Sequence, residues 1–214
     1  MMSNHYHHLV FGPSALARQR AKGSYTAYGA QTERGDDGPD ELDGREKVII
    51  RAADQFYLST VTETGWPYVQ YRSGPAGFLR VLDDHTLAFA DFAGNNQYVT
   101  AGNLDANDRV ALIVVDYPRR QRVKIYGRAT VVEGSADPAL LERLRQVPGG
   151  TVESRCERSV VISVEAIDWN CTRSIIPRYD QDYVRRMGAL YERDAAAREK
   201  VLLDRIAELE ARLE

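Results

Sequence analysis

Cysteine is scarce in this chain of 214 residues, which contains only Cys156 and Cys171. Two cysteines cannot build the disulfide framework of a small secreted domain. The first residues, MMSNHYHHLVFGPS, also lack the basic and apolar regions of a secretory signal. We therefore expect a reduced protein of the cytoplasm.

Long apolar runs and an excess of charge of one sign are missing too. The longest uncharged apolar run near the middle of the chain, VALIVV at residues 110–115, is too short to span a bilayer as a helix. The 28 Lys and Arg nearly balance the 31 Asp and Glu, which gives a formal net charge of −3. We expect neither a nucleic acid nor a membrane as a partner.

Common catalytic and nucleotide-binding motifs are also absent. The chain has no GxSxG elbow, no GxGxxG after a strand and no GxxxxGK[ST]. His5, His7 and His8 form a cluster, but no cysteine or carboxylate is spaced to complete a metal site with them. We interpret them as a flexible N-terminal stretch and predict no metal. His85 lies in the turn DDHT and is expected to be exposed.

The chain divides by its sequence patterns into three regions. Residues 1–54 are a polar lead-in with helical pieces, including a helix predicted from about Gly44 to Ala53 by an N-terminal capping box. Residues 55–180 alternate short β-branched and aromatic runs with turns. Residues 181–214 form an amphipathic helix.

The middle region predicts a small antiparallel barrel. Three hairpins are indicated, FYLSTVTE with WPYVQYRS, FLRVL with TLAFAD, and RVALIVVDY with RVKIYGRATVV. RSVVISVEAI, residues 158–167, is the last strand. The segment QYVTAGNLDAN between the second and third hairpins favours helical turns, and a further helix is predicted to begin at Asp137-Pro138.

A few residues could bind an anionic or planar ligand. Gly94 allows close backbone approach, and the amides at residues 95–97 add donors. Arg122 and Lys124 share one face of a strand, which is either a solvated exterior or an anion site. Three aromatic residues could stack on a ligand or pack in the core: Trp66, Tyr68 and Tyr71.

Four collinear segments resemble the pyridoxamine 5′-phosphate oxidase-like, FMN-binding split-barrel family. They are FYLSTVTETGWPYVQYRSGPAGFLRVLDD, TLAFADFAGNNQYVTAGNLDANDRVALIVVDY, RVKIYGRATVVE and AIDWNCTRSIIPRY. The resemblance covers about residues 54–180, and it is to the broad related-protein branch, not to the biosynthetic oxidase. It implies a mainly β fold with flanking helices, built on a six-stranded antiparallel Greek-key split barrel. It also implies a homodimer with FMN at the interface.

The resemblance also implies which residues hold FMN. The strand after GWPY would present backbone and side chains to the flavin, the loop after FADF would hold the phosphate, and the RVKI strand would contact the ring or the phosphate. A late tryptophan and an arginine after it complete the set. The residues are Val69, Gln70, Tyr71, Arg72, Asn95, Asn96, Gln97, Arg122, Lys124, Trp169 and Arg178.

Two departures from the biosynthetic oxidase bear on function. Asn95 and Asn96 stand where that oxidase has an Arg-Lys pair, so Arg72 and Arg122 would carry more of the phosphate charge. The oxidase's RLHDR-like substrate segment is replaced by CTRSIIPRY, which has no histidine. We therefore expect a poor oxidase of pyridoxine phosphate.

Three functions remain open from the sequence. The first is an FMN-dependent oxidoreductase acting on an unidentified small molecule, in which the flavin does the chemistry. The second is a non-enzymatic flavin-binding module for storage, sensing or interaction, and the third keeps the barrel but binds deazaflavin or haem. The C-terminal helix has an apolar seam that could pair with the partner chain or pack on the barrel, formed by Leu202, Ile206, Leu209 and Leu213.

Overall fold

A computed structural model of the protein describes residues 4–148, 150–169 and 172–212. The chain separates into two compact units, Met1–Asp116 with Arg120–Ile175, and Tyr117–Arg119 with Ile176–Glu214. The predicted three-part division into residues 1–54, 55–180 and 181–214 stays a prediction. Cys171 and Leu213 lie outside the described residues.

The main helices and strands follow one another in the order that the sequence patterns predict, but the helix His5–Val10 and the two-residue strands Gln146–Val147 and Gly150–Thr151 are not among those predicted. The helices are α1 His5–Val10, α2 Pro13–Lys22, α3 Gly44–Ala52, α4 Val99–Ala106, α5 Pro138–Arg145 and α6 Gln181–Glu210. The strands are β1 Gln55–Val61, β2 Pro67–Ser73, β3 Arg80–Val81, β4 Thr86–Phe92, β5 Arg109–Asp116, β6 Gln121–Glu133, β7 Gln146–Val147, β8 Gly150–Thr151 and β9 Cys156–Trp169.

One antiparallel sheet dominates the first unit, with strand order β2-β1-β5-β6-β9-β4-β3. The predicted hairpins β1–β2, β3–β4 and β5–β6 are all present. In the described part of the chain β2 and β3 are the free edges, so the barrel is split and not closed. The predicted mainly β fold with flanking helices and a long C-terminal helix is confirmed. The sheet has six long strands, and the two-residue β3 brings the count to seven.

Alternating side chains build the core of the split barrel. Along β1 the inward residues Phe56, Leu58 and Thr60 are buried, as the alternation of a strand with one core face requires. The Phe56 ring lies 5.3 Å from both the Phe78 and Phe89 rings. Strand β4 is buried on both faces because α5 covers its outer side.

Helix α4 lies next to the place where the sheet is split. Asn103 of α4 donates a buried hydrogen bond from Nδ2 to Thr60 Oγ1 of β1 at 2.8 Å. Across the split, Arg72 Nη1 of β2 lies 2.7 Å from Asp91 Oδ1 of β4. The ion pair joins two strands that are not neighbours in the sheet, and Arg72 also donates a hydrogen bond of 3.1 Å to Thr100 of α4.

Local signals begin the predicted helices where the sequence places them. Asp43 and Glu46 form the capping box of α3, with the Asp43 carboxylate accepting from the backbone of Arg45 and Glu46. Gly23 ends α2 in the left-handed conformation at φ 76°, where a residue without Cβ is favoured.

The expectation of a flexible N-terminal stretch is wrong for His5–Val10, which form α1. The His5 side chain is buried, with Nδ1 2.7 Å from Asp36 Oδ1 and Nε2 3.4 Å from Glu165 Oε2. A bulge in β9 opposite Tyr126 and Gly127 leaves Glu165 out of the strand register. Distant carboxylates therefore order α1. His85 is exposed, as predicted.

Helix α6 belongs to the second unit and begins at a conventional cap. The Asp180 carboxylate accepts a hydrogen bond of 2.6 Å from the backbone N–H of Tyr183. Leu202, Ile206 and Leu209 of the predicted seam are exposed. The pairing of this seam with a partner chain or with the barrel stays a prediction.

Candidate functional site

The structure brings five of the predicted site residues to one cavity of about 260 Å³. The cavity lies between β2, the end of β4, the loop that follows it and the first turn of α4, and we call it the β2–α4 cavity. The predicted residues that line it are Gln70, Arg72, Asn95, Asn96 and Gln97. Its other lining residues include Tyr68, Asp91, Tyr98, Thr100 and Arg158.

The loop that borders the cavity has an unusual backbone. Gly94, Asn96 and Tyr98 have left-handed φ angles of 56°, 59° and 52°. For residues other than glycine this conformation costs about 1–3 kcal/mol each and is concentrated at functional sites. Tyr98 is also the N-cap of α4, and no side chain caps that helix. The first amides of α4, which have no intrahelical partner, are therefore available to an anion in the cavity.

Arg72 places a guanidinium group in the β2–α4 cavity. Its Nη1 lies 2.7 Å from Asp91 Oδ1, and its Nη2 donates to Thr100 Oγ1 at 3.1 Å. Its Nε is buried and makes no hydrogen bond with any described residue. A buried donor without a partner is costly, so this N–H is a position where a ligand oxygen would be stabilised.

Arg158 is a second cation of the cavity that the sequence interpretation missed. It lies in β9 directly opposite Asp91 of β4, and only 6% of it is exposed. Its Nη1 is 3.6 Å from Asp91 Oδ2, and its guanidinium carbon lies 4.9 Å from the centre of the Tyr98 ring. The sequence shows an arginine in the last strand, but only the pairing of β9 with β4 shows that this arginine lies opposite an acidic residue.

Asp91 is the carboxylate between these two cations, and it is 5% exposed. Burial raises the pKa of Asp91 above its usual value, although Arg72 and Arg158 oppose this shift. Two further carboxylates also lie near Arg158. Glu133 Oε1 is 3.4 Å from its Nε, and Glu157 Oε2 is 2.9 Å from its Nη2.

Val69 and Tyr71 lie on the opposite face of β2 from Gln70 and Arg72. They are 62% and 53% exposed, and the nearby Trp66 is 73% exposed. Because β2 is an edge strand, these side chains make an exposed apolar patch beside unpaired backbone groups.

Arg122 and Lys124 lie on β6 and are not among the residues that line the β2–α4 cavity. Lys124 Nζ is 2.7 Å from Asp168 Oδ2 and donates to the Tyr6 hydroxyl of α1 at 3.2 Å. Burial alone would lower the pKa of Lys124, but these two partners outweigh it and the pKa is raised. The Nε of Arg122 is buried without a hydrogen bond to the described residues.

Trp169 ends β9 beside the start of α3. Its indole N–H donates to the Glu46 carboxylate, and the Arg45 guanidinium lies 3.6 Å from its ring centre. Burial raises the pKa of Glu46, as does its contact with Asp43. Trp169 pairs with Val123 and Asp168 with Lys124, so the side chains of Trp169 and Lys124 point to opposite faces of the sheet.

Arg178 belongs to the second unit. Its guanidinium carbon lies 5.2 Å from the centre of the Tyr117 ring in the same unit.

A family model described as pyridoxamine 5′-phosphate oxidase matches residues 42–169. The chain belongs to the pyridoxamine 5′-phosphate oxidase family. The match includes the whole β2–α4 cavity, Lys124 and Trp169, and it ends before Arg178. No curated protein sequence matches this member of the family.

Solved structures with a similar fold come from several bacteria. HupZ of Group A Streptococcus is 17% identical with a TM-score of 0.47 and covers 64% of this chain and 100% of its own. A putative pyridoxamine 5′-phosphate oxidase of Lactobacillus delbrueckii is 23% identical, with a TM-score of 0.44 and coverage of 60% and 98%. An FMN-binding protein of Syntrophomonas wolfei is 15% identical, with a TM-score of 0.45 and coverage of 58% and 82%. Likeness at this level carries no inference about function.

None of the helices in residues 4–148, 150–169 and 172–212 combines the length and the hydrophobicity of a membrane-spanning segment.

Proposed function

We propose that this protein binds FMN and uses it to oxidise or reduce a small molecule. The observation that carries the proposal is the charge arrangement of the β2–α4 cavity, where the partly buried guanidinium group of Arg72 and the buried one of Arg158 share the buried carboxylate of Asp91. Among these three residues, two positive charges and one negative charge leave a surplus that the phosphate group of FMN would compensate.

The described residues fit a phosphate ester in three ways. Arg72 has a buried Nε without a hydrogen-bond partner among them. The N-terminus of α4 faces the cavity without a side-chain cap. The residues 94–98 supply backbone and side-chain amides on a loop with three left-handed residues. These features replace the Arg-Lys pair of the biosynthetic oxidase with neutral donors and with Arg158.

We assign the flavin ring to the interface between two copies of the chain. The exposed patch of Trp66, Val69 and Tyr71 on the edge strand β2 supports this assignment, because a large exposed apolar patch marks an interaction surface. Arg122 and Lys124 are assigned to the ring side of the site, and the roles of Trp169 and Arg178 in holding FMN stay predictions.

When bound, FMN supplies the hydride and electron chemistry. The protein's part is to bind, orient and supply charge. Arg72 and Arg158 would hold the phosphate group, and the β2 patch would exclude water from the ring. Asp168 keeps Lys124 charged, so Lys124 is the cation that this member offers to the ring side.

The test of the oxidoreductase function is to add NADH, NADPH or a reduced-flavin donor to the FMN-loaded protein without oxygen. Reduction is monitored by the absorbance of the flavin. Reduction, and re-oxidation by a small-molecule acceptor, is the expected result. A bound flavin that none of these donors reduces would favour the non-enzymatic binding module. The spectrum of the protein as purified separates flavin from deazaflavin and haem, and light scattering of the loaded protein tests the homodimer.

Pyridoxamine 5′-phosphate itself should be a poor substrate, because CTRSIIPRY lacks the histidine of the oxidase's substrate segment. The assay is formation of pyridoxal 5′-phosphate under oxygen. Turnover on the order of 1 per second or faster would contradict this expectation.

A further inference from the structure

We propose that Asp91 is an internal counter-ion that competes with the ligand's phosphate group for Arg72 and Arg158, and so sets the affinity of the β2–α4 cavity. The inference rests on the proposed function, because it takes the cavity as a phosphate site. It assigns a specificity-determining role to a carboxylate in the middle of a site for an anion.

The geometry gives Asp91 the contacts that a phosphate group would make. One carboxylate oxygen lies 2.7 Å from Arg72 Nη1, and the other lies 3.6 Å from Arg158 Nη1. Asp91 also lines the cavity, so a phosphate bound there would lie beside its carboxylate. Like charges in a buried site repel strongly, since water screens them little.

Two further carboxylates, Glu133 and Glu157, raise the pKa of Asp91, but they affect it less than burial, Arg72 and Arg158 do. Glu133 is largely exposed to solvent, and Glu157 is paired with Arg155 at 3.4 Å as well as with Arg158. Burial raises the pKa of Asp91, which shows that its two cations do not fully compensate the loss of water. Asp91, Arg72 and Arg158 therefore form the inner charge set of the cavity.

The inner charge set predicts an order of phosphate affinity among variants. Asp91→Asn leaves two positive charges, while the wild type has a surplus of one. The double variant Asp91→Asn with Arg158→Gln also has a surplus of one, and Arg158→Gln alone has none. Affinity for the phosphate group should follow this surplus, with the wild type and the double variant nearly equal.

The experiment measures the affinities of FMN and riboflavin for the full chain. Their ratio gives the contribution of the phosphate group to the affinity, and we call it the preference for FMN. We expect Asp91→Asn to raise the preference for FMN about tenfold, and Arg158→Gln to lower it about tenfold. The double variant should lie within about threefold of the wild type. Arg18→Ala, at an exposed position on α2, is the control for a lost arginine outside the cavity.

The double variant keeps the inference testable if Asp91→Asn alone does not fold, because it removes one charge of each sign. If Asp91 only orients the arginines, Asp91→Asn should lower the preference for FMN over riboflavin. The double variant should then prefer FMN no more strongly than Arg158→Gln does. Either of these results would overturn the inference.

Inorganic phosphate provides a readout that does not depend on flavin. Its stabilisation of the folded state against heat should be larger for Asp91→Asn than for the wild type, and smallest for Arg158→Gln. Should phosphate follow this order while no flavin binds, the proposed function fails and the inference stands. Equal stabilisation of all variants by phosphate would overturn the inference.

Discussion

Replacing Arg72 with glutamine should separate the affinity for FMN from the affinity for riboflavin. Arg72 offers a buried, unpartnered Nε and two further nitrogens that contact Asp91 and Thr100. A hydrogen bond to a charged group contributes about 1.5–3 kcal/mol, which corresponds to a loss of roughly 10- to 150-fold in FMN affinity. Riboflavin has no phosphate, so its affinity should change by less than about threefold.

The assay is a titration of each variant with both flavins, in which binding is measured by the quenching of flavin fluorescence. Arg72→Gln also breaks an ion pair with the buried Asp91, and losing one partner of a fully buried pair costs about 3–5 kcal/mol of stability, which is the upper bound here. Urea unfolding therefore comes first, and Arg72→Lys, which keeps the charge but loses the fork of donors, should give an intermediate FMN affinity. If a folded Arg72→Gln protein lost the same factor of affinity for FMN and for riboflavin, the assignment of Arg72 to the phosphate group would be refuted.

Three further predictions follow from the same geometry. Asn95→Ala removes a neutral amide, so FMN affinity should fall only about 2- to 10-fold in the same titration, and an unchanged affinity would remove Asn95 from the site. Arg122 does not line the cavity, so Arg122→Ala should weaken FMN and riboflavin by the same factor, whereas a loss confined to FMN would return Arg122 to the phosphate. The pKa of Asp91 is raised in the folded state, so the folded protein binds a proton at Asp91 more tightly than the unfolded chain does. The free energy of unfolding should therefore fall as pH rises from about 4, the usual pKa of an aspartate, through the pKa of Asp91 in the folded protein. Urea unfolding at several pH values should show that the wild type loses more stability over this pH range than Asp91→Asn does, and parallel curves would contradict the prediction.

Much of the fold could be predicted because its signals are local. The Asp43 and Glu46 capping box lies within one turn of helix, and each hairpin joins two alternating runs across a short turn. The loop at residues 94–97 could also be predicted as a ligand-binding candidate, because glycine and amide side chains are adjacent there. These features depend on residues that are near one another in the sequence.

The features that sequence interpretation missed depend on distant residues. Arg158 and Asp91 become neighbours only through the register of β9 with β4, so neither was identified as part of the site. Helix α1 is short, and its order depends on contacts of His5 with Asp36 and Glu165. Isolated helices of this length are not stable in water, so tertiary contacts decide whether α1 forms.

The most direct measurement of the central claim is the binding of FMN and riboflavin to the purified wild-type protein. We predict that FMN saturates the protein at one molecule per chain and raises its melting temperature, and that riboflavin binds at least about tenfold more weakly because it lacks the phosphate group. Riboflavin binding as tightly as FMN, or FMN that neither saturates nor stabilises the protein, would contradict the account.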